Sequence, residues 1–195
     1  MQSIDTRKNL VAVLAGAVMA LAASGVEAQQ QFRFNVGGSS VVWSEIYRVE
    51  SEAGESREAF MHRAGERMTE WTAGTNYEAC AEICKAVDSD RFVLPIGTLG
   101  AHTACATAPD MCPAGTVSTG ENMHTHPHSR YRPNAVDQAM AGMTGQNHNR
   151  SQKGAHGPRT GFSPADYSRP GYLAQPGGRL MYQNGVGTAK IVPND

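Results

Sequence analysis

Residues 115–127, Gly-Thr-Val-Ser-Thr-Gly-Glu-Asn-Met-His-Thr-His-Pro, hold the stretch from which the rest of the chain is best read. Gly115 to Met123 has the composition of a strand, and it runs directly into His124-Thr125-His126-Pro127. On an extended backbone, side chains two residues apart point to the same face, so both imidazoles can reach a single metal ion. Histidine nitrogen suits zinc. A catalytic zinc site takes three protein ligands, commonly with a carboxylate as the third, and leaves the fourth position to water. A pair of histidines at this spacing also occurs by chance in surface loops, so the surroundings decide.

Upstream of this strand, Ala79 to Val87 and Arg91 to Ile96 read as two more strands, joined across Asp88-Ser89-Asp90. Before them the period lengthens. Phe60, Ala64, Met68 and Trp71 recur at helical spacing, Ser56 is placed to cap, and Gly74 to stop, which predicts a helix over Arg57 to Thr72. Residues 29–55 form an N-terminal extension. In it Phe32, Phe34 and Val36 alternate with polar residues, and Val41-Val42-Trp43 follows a Gly-Gly turn, the pattern of an edge hairpin. Downstream, residues 141–161 carry almost no large apolar side chains and read as a long surface loop. Tyr172 to Tyr182 regains strand character around Pro176-Gly177-Gly178, a hairpin signal. The expected architecture is mixed α and β (α+β): one central sheet with flanking helices and a long loop.

Residues 1–28 have the build of a secretory signal peptide. Arg7 and Lys8 precede an apolar run from Leu10 to Ala23, and small residues end at Ala28, the expected cleavage point. That run is shorter than the roughly 20 residues a membrane-spanning helix needs. A periplasmic or secreted location follows, with no membrane association after cleavage. The formal net charge of −1 and the scattered Lys and Arg residues argue against nucleic acid as a partner. In an oxidising compartment Cys80, Cys84, Cys105 and Cys112 read as two disulfides, with the pairing open. Cys80 and Cys84 are poor partners for each other, since four residues of strand span about 13 Å, beyond a disulfide's reach.

Three motifs now stand in order: Glu78 after the first helix, His124-Thr125-His126-Pro127 at a strand end, and Ser163-Pro164-Ala165-Asp166. Over roughly residues 56–185 this order resembles the JAMM (MPN/JAB) zinc metalloprotease pattern, in a secreted bacterial-type variant. The resemblance implies one metallopeptidase domain over residues 56–195, with Zn²⁺ held by His124, His126 and an aspartate. Asp166 lies further along the chain than the family's aspartate. Asp137 sits at the usual distance, with Asn134 where the serine would be. Asp166 is favoured because it keeps Ser163 and is followed by a strand, and residues 128–160 then form an insertion over the site.

On this resemblance Glu78 is the general base, in preference to Glu82, which lies four residues deeper in a buried strand, an awkward place for a carboxylate. Ser163 steadies the oxyanion. The activity implied is hydrolysis of an amide or isopeptide bond, with a peptide, isopeptide or peptidoglycan-like substrate. A catalytically inactive exported binding module of the same fold is the alternative. A metal-scavenging protein using the histidine-containing loop is a weaker one. His128 reads as a neighbour of the site, and His102, His148 and His156 as solvated side chains.

Overall fold

The computed structural model describes residues 29–36, 39–141 and 159–194. Residues 1–28, expected to be a signal peptide, Gly37-Gly38, residues 142–158 with His148 and His156, and Asp195 lie outside the described residues. Its elements are β1 (Gln31–Val36), β2 (Ser39–Glu50), α1 (Arg57–Thr75), β3 (Cys80–Ala86), β4 (Phe92–Thr98), β5 (Thr116–Thr125), α2 (Ala135–Ala141), β6 (Gly171–Gln175), β7 (Arg179–Gln183) and β8 (Lys190–Val192). The eight strands form one mixed sheet in the order β1-β2-β4-β3-β5-β6-β7-β8. Only the β5–β6 pair is parallel; every other pairing is antiparallel. Residues 31–50 thus extend the sheet at one edge, with β2 laid against β4.

Helix α1 starts where Ser56 accepts a hydrogen bond from the Ala59 N–H at 3.1 Å. It passes Gly74 and ends one turn later than the sequence predicts. There Asn76, at φ 62°, donates its N–H to the Thr72 carbonyl. Asn tolerates the left-handed conformation better than most residues and serves as the cap in place of glycine. Phe60, Ala64, Met68 and Thr72, four apart, form its buried stripe. They pack on one face of the sheet against Ala81, Ile83, Leu94, Ile96 and Met123. A Cβ on Gly65 would stand 3.0 Å from that of Ala174, so the missing side chain brings α1 close to β6.

The opposite face is covered by the loop between β4 and β5 together with α2. Trp43, Val41 and Cys80 of the sheet meet Leu99, Ala101, Met111 and Met140 there. Trp43 lies over Gly97, where a Cβ would be 2.3 Å from its ring. Any other residue at position 97 would displace the tryptophan. Two disulfides, Cys80–Cys105 and Cys84–Cys112, pin this loop to β3. Both β3 cysteines face the same way and each takes a loop partner. The closed segments of 25 and 28 residues correspond to about 3–4 kcal/mol each in the chain-entropy account. Such bonds persist in oxidising compartments. Among the described residues no helix is long and apolar enough to cross a membrane.

Candidate metal centre

The alternation of β5 sorts its side chains between the two layers. Met123 and Thr125 face α1, where Met123 joins the core and the Thr125 hydroxyl lies 2.6 Å from that of Thr72. His124 and His126 therefore emerge on the other side, next to the disulfide-tethered loop. In the sheet register His124 stands opposite Cys80, and Asn122 opposite Glu82. The last turn of the chain into the site is a 3-10 helix, Pro164–Ser168, which leads into the parallel strand β6. Gln183 of β7, almost fully buried, holds this segment by donating from Nε2 to the carbonyls of Asp166 (2.8 Å) and Arg169 (2.6 Å).

This scaffold gathers His124, His126 and Asp166, whose ligand atoms all lie within 4.8 Å of one another, a group able to hold a metal ion. Asp166 Oδ2 is 3.5 Å from His124 Nε2 and 4.0 Å from His126 Nε2. Ligands at about 2.0–2.1 Å in tetrahedral array stand about 3.4 Å apart. The first spacing already fits, and the second is about 0.5 Å wider. His124 Nε2 is buried and no well-directed hydrogen bond reaches it. A metal ligand atom is expected to look like this, whereas a buried imidazole nitrogen of structural purpose is normally paired.

The protonation states agree with that assignment. Burial, reinforced by the neighbouring His124, lowers the His126 pKa to about 3, so the ring is neutral, the form that ligates metals. Burial pushes Asp166 up, but His124, the Ser163 N–H and His126 together outweigh it and hold the carboxyl well below the usual range. Asp166 is accordingly ionised. Glu78 lies just before β3, and its backbone is fixed at both ends: its N–H donates to the Ala101 carbonyl at 2.8 Å, and its carbonyl accepts from Thr98 Oγ1 at 2.7 Å. Its Oε1 stands 4.0 Å from His126 Nε2. Burial first, and the charge of Asp166 second, raise its pKa well above 4.5. A carboxyl tuned towards neutrality beside a metal-ligand cluster is equipped to accept and return a proton.

A pocket of about 460 Å³ opens over this group; Glu78, His124, His126, Ser163 and Asp166 all line it. Asp137 is not part of this group. Its carboxylate is fully buried, taking hydrogen bonds from the backbone N–H groups of His102 (2.7 Å), Thr103 (3.0 Å) and Asn134 (2.8 Å). It also pairs with His102 Nδ1 at 2.8 Å. Asp137 lies in the first turn of α2 within residues 128–160, so part of the expected insertion is helix rather than loop. His102, expected to be solvated, is instead sandwiched between Tyr77 and Tyr131, with ring centroids 4.8 Å from each. The buried Glu82 is paired through Oε1 with Arg169, 2.6 Å away, and with the Ser118 hydroxyl.

Sequence reasoning missed Arg169 and Gln183. Arg169 was within reach, since it follows Asp166 by three residues in a segment marked by Pro164. Gln183 carried no signal, because its role depends on β7 lying beside the 3-10 helix. No family model matches the chain, and neither the curated proteins nor the solved structures returned a match.

Proposed function

We propose that this protein is an exported zinc metallopeptidase of the JAMM type that hydrolyses an amide or isopeptide bond. The observation that carries the proposal is the approach of Glu78, with its raised pKa, to the His124, His126 and Asp166 group on the floor of one pocket. Zinc held by these three residues would supply the charge that brings the pKa of water from about 16 towards 7. Glu78, whose Oε1 is 4.0 Å from His126 Nε2, would take the proton of the attacking water and deliver it to the leaving amine. Ser163, which lines the pocket, would donate its hydroxyl to the oxyanion of the tetrahedral intermediate; loss of one such donor typically costs on the order of 3 kcal/mol. Asp166 and the neutral His126 keep their ligand forms across the neutral range. The two disulfides and the signal-like N-terminus support a periplasmic or secreted location.

Metal analysis and peptide cleavage test this reading. Purified protein should hold one zinc, His124→Ala should lose it, and Glu78→Gln should keep it while abolishing hydrolysis. Zinc retained by the wild type without cleavage across a broad panel of peptides and linked peptides would instead identify a binding module. Absence of stoichiometric zinc would end the proposal.

A further inference from the structure

Resting on the peptidase reading, the geometry points to Arg169 as a clamp for a free carboxylate, so that the substrate is a peptide cut about two residues from its C-terminus. The pocket is a trough along β3 and β5. Its floor continues past the histidines to Asn122, which lines the pocket with Arg169 and Ser168 at that end. Two independent measures place Arg169 relative to the metal ligands. Along β5, Asn122 is one two-residue step from His124, about 7 Å, and its register partner Glu82 binds Arg169. Along the chain, Arg169 follows Asp166 by three residues, two at the end of the 3-10 helix with a rise of about 2 Å each and one extended step of about 3.3 Å into the C-cap. An extended peptide advances about 3.3–3.6 Å per residue. A carboxylate on the guanidinium thus leaves the second amide bond back from the terminus over the ligand group.

Arg169 is built for orientation. The guanidinium gives one N–H to Glu82 Oε1 at 2.6 Å and another, at 3.4 Å, to the Thr107 carbonyl. Its carbonyl is held by Gln183. Glu82 is fully buried behind it, whereas the Arg169 side chain remains 29% exposed, on the pocket side. Its planar fork carries five donors, so those not engaged by Glu82 and Thr107 are left for a carboxylate. Among the described residues the carboxylates lining the pocket are Glu78 and Asp166, both at the ligand end. No described acidic residue lines the Arg169 end. In the reaction the amide C–N bond breaks, hydroxyl from water joins the acyl carbon, and a proton goes to the nitrogen of the departing C-terminal dipeptide.

The test uses N-acetyl-trialanine with a free carboxylate and the same peptide as its C-terminal carboxamide. Binding is measured calorimetrically to Glu78→Gln, and cleavage with the wild type. Arg169→Leu alone would strand Glu82 without its partner, so the comparison variant is Arg169→Leu with Glu82→Leu, which removes both charges. The carboxylate should bind about tenfold or more tighter than the carboxamide, and the double change made in the Glu78→Gln background should erase that preference. Discrimination without cleavage would keep the carboxylate site and discard hydrolysis. Equal binding and equal cleavage of the two peptides would discard the clamp and keep the peptidase. If neither peptide binds nor is cut, the clamp falls as well.

Discussion

Thr72 on the helix and Thr125 between the two histidines share a hydrogen bond of 2.6 Å, and Thr125 Oγ1 also accepts from the Ala79 N–H at 3.0 Å. One buried hydroxyl therefore joins α1, the residue following Glu78 and the strand that presents both imidazoles. Glu78 and the two histidines are held in register through it.

Thr125→Val keeps the shape and removes the hydroxyl, leaving the Thr72 hydroxyl and the Ala79 N–H without their partner. Stability should fall by about 1–3 kcal/mol, read by denaturant unfolding in the presence of chelator. Zinc affinity should drop about tenfold or more in a competition titration, as is usual when support behind a ligand is lost. Unchanged affinity would show that Thr125 serves stability alone.

Replacing Cys84 and Cys112 together by Ala should cost about 2–5 kcal/mol, because the segment between them is then tied in the unfolded chain only through Cys80–Cys105. Thermal unfolding with and without reductant measures it. The variant should no longer respond to reductant through this bond, leaving only the contribution of Cys80–Cys105.

Asp137 gives the acid limb of stability. Burial raises its pKa, but hydrogen bonds from His102, Asn134 and Thr103 overcome this and lower it below 3.8. A group whose folded pKa is depressed stabilises above its unfolded pKa and loses that contribution as pH falls through the folded value. Asp137→Asn should therefore be less stable than the wild type above about pH 5, with the gap closing as the pH drops below about 4. A constant gap across that window would exclude this carboxyl as the source.

Glu78 has the opposite sign. Its folded pKa is raised, so the metal-free folded protein binds a proton more tightly than the unfolded chain and loses stability as pH rises from 4.5 towards the folded value. Metal-free Glu78→Gln should gain stability relative to metal-free wild type across that interval. Parallel pH profiles of chelated wild type and variant would refute the raised pKa.

Most of the sheet was legible because apolar alternation and turn residues are local signals. The strands around Asp88-Ser89-Asp90, the hairpin at Pro176-Gly177-Gly178 and the start of α1 at Ser56 all lie where such signals place them. The helix end was misread because Gly74 is the stronger stop signal in sequence, yet Asn76 makes the capping bond. Helix α2 and strand β8 were not anticipated, since seven and three residues are too few for a period to show.

By itself the sequence determined which residue types could do the chemistry, and that His124 and His126 share a side, because strand alternation is a property of the backbone alone. Only the tertiary structure put Asp166 rather than Asp137 beside the two histidines, paired Cys80 with Cys105 and Cys84 with Cys112, and set Arg169 on Glu82. The reason is one of distance along the chain. Those choices depend on which segments the parallel β5–β6 pairing and the packed loop bring within a few ångströms, and contacts between residues dozens of positions apart leave no local pattern to read.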